Sequence, residues 1–267
     1  MVRSMYTGVS GLRTHQTKMD VIANNIANVN TTGYKAAQVT FHDVISQTTA
    51  AASAPSESIG GMNARQIGLG VTVAAINTKT TAGAPQNTES TLDVAISGDG
   101  YFVLQDGETE VYTRSGNFKL DSEGNLVHAG TGYYVMSVDD DRIQNTDGLT
   151  NISIDQLGWV KGVNEDGDVV EIAQIRLVNF MNNEGLVKLG NSMYQQSSNS
   201  GAPLENGDQV AGENGTGVLI PGYLEMSNVD LAYEFTEMIT TQRGYQANSR
   251  IITVSDTMLE ELINLKR

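Results

Sequence analysis

Both ends of the chain carry the same four-three repeat. Near the start, Met5, Val9, Leu12, Gln16, Met19, Ala23 and Ile26 follow one another at steps of four and three. Near the end, Leu231, Phe235, Met238, Gln242, Tyr245, Ser249, Ile252, Asp256, Leu259 and Ile263 do the same. Such spacing puts side chains on one stripe of an α-helix and is the seam spacing of a coiled coil. The d-type places of the second stripe (Leu231, Met238, Tyr245, Ile252, Leu259) are all apolar, whereas its a-type places fall to Gln242, Ser249 and Asp256 in the middle. Ile239, Ile251, Met258 and Leu262 widen its apolar face.

Stop signals bound both helices. Residues 28–33, Asn-Val-Asn-Thr-Thr-Gly, end the first, with Gly33 predicted at positive φ. Ser227 or Asn228 is the predicted N-cap of the second, with Asp230 in its first turn. Gly244 interrupts it at a cost of about 1 kcal/mol relative to Ala. Two such helices are either ordinary core helices lying on a middle domain, or they pair with each other and with copies from other chains. Their position at the termini, the matched heptads and the polar a-type stretch favour the second.

Between the ends the pattern is that of β-structure. Short runs at 92–96, 101–105, 111–113, 117–120 and 126–127 are separated by Gly-Asp, Asp-Gly and Ser-Gly turns, which mark hairpins. Further strands are predicted at 152–154, 169–172 and 174–180. Residues 46–66 and 199–217 read as irregular segments. The expected fold class is therefore α+β, mostly β: terminal helices pairing as a coiled coil around a central β-rich domain. The expected division is a helical assembly domain at 1–45 and 223–267, connecting segments at 46–75 and 200–222, and a β-rich outer domain at 76–199.

Composition narrows the function classes. Against 16 Lys and Arg stand 31 Asp and Glu in 267 residues, a net charge of -15. Nucleic acid and anionic lipid need a basic face, so neither is expected as a bulk partner. Without cysteine there is no disulfide, thiolate nucleophile or Cys-ligated metal, and three histidines do not suggest a multi-histidine site. Asp139, Asp140 and Asp141 lack the alternate spacing of a calcium loop. No Gly-x-Ser-x-Gly elbow, P-loop lysine or full Gly-x-Gly-x-x-Gly occurs. His15 is expected at the rim of the first helix, and His42 and His128 have no triad partner in sequence. Asp93 and Asp99 could act as an acid/base pair, but so could any other carboxylates. Tyr133, Tyr134 and Trp159 read as packing residues of the β domain. No catalytic, cofactor-binding or metal-binding residue is predicted, and no cofactor or small-molecule substrate. Nothing approaches the ~20 apolar residues of a spanning helix, and the first twenty residues lack the apolar core of a secretory signal.

The motifs at both ends resemble a known family. Ser10-Gly11-Leu12, the run from Met19 to Lys35, and the stretches Ser227-Asn228-Val229-Asp230-Leu231, Met238-Ile239 and Gln242-Arg243-Gly244-Tyr245-Gln246-Ala247-Asn248-Ser249 are similar to the terminal signatures of bacterial flagellar rod and hook proteins. Ile67-Gly68-Leu69-Gly70-Val71 and the run from Leu92 to Phe102 resemble internal motifs of that family. The resemblance implies a structural subunit, not an enzyme, whose terminal helices line the inner wall of a helical tube while a β-rich domain faces outward. It implies a helical homopolymer as the principal partner, with adjoining rod, hook and hook-junction proteins and a hook or rod cap. It also implies passage through the flagellar type III export apparatus, location in the basal body or hook, and no cleaved leader. Chain length matches both the distal rod protein and the short Gram-positive hook protein; residues 12–16, 53–55 and 60–63 favour the hook. The self-assembly residues are then Met5, Val9, Leu12, Met19, Ile26, Leu231, Phe235, Met238, Tyr245, Ile252, Leu259 and Ile263. A secreted β-rich binding module, whose helices merely pack on it, is the alternative from another class.

Overall fold

The computed structural model describes residues 2–55, 60–107, 109–144, 146, 149–204, 209–212 and 215–265. Parts of both segments read as irregular, 56–59, 205–208 and 213–214, lie outside the described residues. The chain divides into two compact units: Met1–Ala27, Ala37–Asn77 and Asp230–Arg267 form one, Asn28–Ala36 and Thr78–Val229 the other. Helices at both ends and β-structure between them bear out the α+β class expected from the repeats.

The first unit is built on helix α1 (Val2–Ala27) and helix α2 (Leu231–Leu265). Asp230, not Ser227 or Asn228, caps α2: its carboxylate accepts the backbone N–H of Ala232 at 2.9 Å and of Tyr233 at 3.3 Å. Asn228 is engaged elsewhere. Gly33 sits at φ +67°, as the stop signal required. Strand Ala37–Asp43 pairs with strand Val71–Thr78, neither of which the hairpin signals marked. Gly70, at φ +123°, lets its carbonyl meet the Val44 N–H at 2.9 Å. The 46–66 segment is more regular than its composition suggested. Strands Gln47–Ala50 and Arg65–Ile67 form an antiparallel ribbon with exposed side chains, extended by a bridge between Ser53 and Met62.

In the second unit, Tyr101–Asp106 and Thr109–Thr113 form the central hairpin of an eight-stranded sheet. Met193–Gln195 and Val187–Gly190 extend the sheet beyond Thr109–Thr113. On the other side, Tyr134–Val135, Leu126–His128 and Phe118–Leu120 follow in order, and Leu177–Val178 also pairs with Tyr101–Asp106. Thr150–Ile154, Trp159–Val163 and Val169–Gln174 make a separate antiparallel sheet. Val169–Gln174 runs through 173, where the sequence suggested a break, and ends before Ile175, which turns into the core. Val94–Ser97 pairs with Val218–Pro221, and Pro85–Asn87 with Tyr223–Glu225. The main apolar core gathers Val94, Phe102, Leu104, Phe118, Leu126, Ile175 and Leu177, with Phe102 and Phe118 packed edge to face at 5.1 Å. A second cluster holds Tyr101, Tyr112, Phe180 and Tyr194.

Candidate assembly seam

Helices α1 and α2 run antiparallel, and the stripes that meet are offset by one residue from the apolar repeats on both helices. Ser4 faces Ser255, their hydroxyls 3.5 Å apart. Gly8 leaves room for Ile252 and the Asn248 carbonyl, since a Cβ there would stand 3.4 Å from each. Gly11 lies against the Asn248 amide, His15 against Gly244, and Lys18 pairs with Glu237 at 2.5 Å. Asn25 closes the far end: its side-chain amide donates to Glu234 at 3.1 Å and to the Ala37 carbonyl at 2.8 Å, and its oxygen accepts the Ala37 N–H at 3.0 Å. Glu234, Thr241 and Ser255 are the buried residues of α2. The α1 stripe is thus 4, 8, 11, 15, 18, 22, 25, one residue before the apolar one. A one-residue offset turns the face by about 100°.

Small and polar side chains at the contact bring the two backbones close, and the large apolar residues lie to the side. Of the assembly residues read from sequence, Met5, Leu12, Met19, Ile26, Met238, Ile252 and Leu259 are half-buried. Val9, Leu231 and Tyr245 are exposed, as are Phe235 at 51% and Ile263 at 66%. The intrachain contact therefore engages this set at its edge and leaves five of its large side chains open. The contacting stripe had its own signal: Glu234, Thr241, Asn248 and Ser255 recur every seven residues, and glycines stand on both helices.

His15 is not a rim residue. Its Nδ1 is buried without a hydrogen-bond partner among the described residues, and its ring meets Phe41 edge to face at 5.8 Å. Burial, then the neighbouring Lys18 ammonium, holds its pKa below the ordinary histidine value.

The second unit encloses a polar cluster that sequence patterning missed: Lys35, Arg114 and Glu225, all but fully buried. Lys35 and Glu225 are in contact at 2.6 Å although 190 residues apart in sequence. Desolvation pulls the Lys35 pKa down, and the Glu225 carboxylate opposes that pull. Tyr101, beneath the Arg114 guanidinium at 5.5 Å, has its phenol pushed up to about 12, chiefly by burial. Only the long-range fold brings these three together, so no local motif could have announced them. A shallow cleft of the same unit, lined by Thr109, Glu110, Tyr112 and Gln195, offers one carboxylate. Tyr112 donates to it at 3.1 Å, with its own phenol pushed well above the usual range by burial. Among the described residues no group of acidic, His or Cys side chains could hold a metal ion, and no helix is long and apolar enough to cross a membrane.

Comparison with known proteins matches three stretches of the chain to family descriptions. Residues 5–35 match "Flagella basal body rod protein", 95–162 "Flagellar hook protein FlgE/F/G D1 domain", and 220–265 "Flagellar basal body rod FlgEFG protein C-terminal". The flagellar basal-body rod protein FlgG of Bacillus subtilis (strain 168) is 49% identical, with all of both chains covered. FlgG of Borreliella burgdorferi is 38% identical, again over the whole of both chains. The flagellar hook protein FlgE of the same organism is 28% identical over an alignment of 444 positions, far longer than this chain.

Proposed function

Because the chain belongs to the family of flagellar basal-body rod and hook proteins, we propose that it is a rod subunit that polymerises through its terminal helices. The observation that carries the rod over the hook is the end-to-end match to rod relatives of the same length, against a hook relative that needs long insertions. That favours the distal-rod alternative over the short hook form to which the sequence motifs leaned. The helix pair supports the mode of assembly: its internal seam consumes small residues and leaves Val9, Leu231, Phe235, Tyr245 and Ile263 for neighbouring copies. Met5, Leu12, Met19, Ile26, Met238, Ile252 and Leu259 would complete those contacts from the edge.

In this reading residues 1–45 and 223–267 are the assembly domain, 46–75 and 200–222 the connections, and 76–199 the outward β-rich domain. The subunit acts as a structural element, not a catalyst. Its partners are copies of itself, adjoining rod and hook proteins, an assembly cap and the type III export apparatus, which carries it outside the cytoplasmic membrane. Labelling of the subunit along isolated basal bodies tests the assignment. Label is expected on the rod; label confined to the hook would reinstate the hook form, and a free monomer with no basal-body label would favour the binding module.

A further inference from the structure

Three stretches of the β unit lie next to its boundaries along the chain: 33–36, 79–84 and 225–229. All three meet around the buried cluster. Lys35 Nζ donates to Glu225 Oε1 at 2.6 Å and to the Thr81 carbonyl at 2.9 Å. The same Oε1 accepts the Gly83 N–H at 2.8 Å, and the Glu225 carbonyl accepts the Gly33 N–H at 2.8 Å. Asn228 stitches the outer side: its oxygen accepts the Ala36 N–H at 2.8 Å, and its amide donates to the carbonyls of Lys79 at 2.8 Å and Thr81 at 3.0 Å. Lys79 N–H returns to the Ala36 carbonyl at 2.7 Å. The stretches touch so closely that a Cβ on Gly83 would fall 1.9 Å from the Met226 carbonyl oxygen.

Buried charge in this cluster does not balance. Two buried cations share the one buried carboxylate, and the exposed Asp99 acts on Lys35 more weakly. Arg114 Nη1 stands 3.5 Å from Glu225 Oε2, and Nη2 donates to the Gly98 carbonyl at 2.7 Å. Among the described residues, Arg114 Nε and Nη1 and Glu225 Oε2 have no hydrogen-bond partner. Buried charge is tolerated only while it is paired, so the carboxylate is the member the others depend on. The apolar core is a separate matter: residues 33–36 and 79–84 contribute nothing to either apolar cluster. Polar bonds hold the passages, and apolar burial holds the sheet.

We infer that Lys35, Arg114 and Glu225 are positioning residues forming a charge latch, which locks the three chain passages as one cooperative unit distinct from the β core. The inference goes beyond the assembly reading and is read on the unpolymerised full chain, so either can fail without the other.

Amide exchange followed by mass spectrometry tests it. In Glu225→Gln, peptides from 28–36, 78–84 and 223–229 are expected to exchange faster by on the order of 10²-fold, while those from 101–113 stay within about twofold. Adding Lys35→Met to Glu225→Gln removes one of the two stranded cations, so the double variant is expected to exchange more slowly than Glu225→Gln alone. A merely structural contact would make it worse. Lys35→Met by itself keeps Arg114 and Glu225 paired and is expected to fold, with faster exchange confined to the passages; it serves should Glu225→Gln not fold. Unchanged passages in both single variants, a core that loosens in step with them, or a double variant faster than Glu225→Gln would overturn the latch.

Discussion

Phe235→Ala is expected to separate assembly from folding. The side chain is 51% exposed on the isolated subunit. An aromatic side chain buries about 150–250 Å² when fully covered, so roughly 100 Å² of Phe235 remains for a neighbouring copy. At about 25 cal/mol per Å², covering it contributes about 2.5 kcal/mol per subunit. At 1.4 kcal/mol per tenfold, that raises the critical concentration for polymerisation about 60-fold in the alanine variant. Folding of the subunit should change little: alanine's higher helix propensity, about 0.5 kcal/mol, offsets part of the lost contact. Sedimentation of polymer across a dilution series gives the critical concentration, and a thermal melt of the monomer gives the folding control. A critical concentration unmoved by the substitution would refute the outward role of this stripe. So would a melting temperature that falls enough to account for the assembly defect.

The contrasting variant is Gly11→Val, inside the helix pair. Its Cβ would stand 2.7 Å from the Asn248 amide nitrogen, so the monomer's helical melt should drop before any assembly step, as circular dichroism at 222 nm would report. His15 folds best neutral, its pKa lying below the unfolded value of 6.5 through burial and Lys18. Stability from this residue is complete above about pH 6.5 and declines as pH falls toward the lower folded value. Melts at pH 8 and pH 5 should therefore differ more in the wild type than in His15→Gln. Gly116→Ala drives a Cβ to 1.8 Å from the Val94 carbonyl oxygen, and backbone cannot yield as a side chain can. The urea midpoint of the β unit should fall by the equivalent of about 3 kcal/mol or more.

Sequence periodicity located both helices and the central hairpins because those signals are local. Gly33 and the turns after Ser97 and Gln105 stand where their residue types required. Strands Ala37–Asp43 and Val71–Thr78 were less legible, since their partners lie across a long insertion and carry no turn signal between them. The seam illustrates a different limit. Apolar spacing identifies which residues gain from burial, but not whether the partner is the same chain or another. The contacting stripe was decided by which backbones can approach closely, hence by Gly8, Gly11 and Gly244. Asp230 took the cap from Asn228 because Asn228 is held by Ala36, Lys79 and Thr81, partners far off in sequence. Lys35, Arg114 and Glu225 were invisible for the same reason.

The contact between Gly33 and Glu225 has a consequence for the order of folding. Bonds across the helix pair join residues between 209 and 251 positions apart. Closing so long an unstructured loop costs about 5 kcal/mol of chain entropy beyond a constant. Once the β unit has formed, Gly33 and Glu225 are tied together, and the free chain between the helix ends shrinks to about a dozen residues, reducing that cost by roughly half. Refolding should then proceed from the middle outward. Trp159, the chain's one tryptophan, lies in a strand of the β unit and reports its collapse, while ellipticity at 222 nm reports the helices. The fluorescence phase should come first, and a helical phase that preceded it would show the ends finding each other unaided.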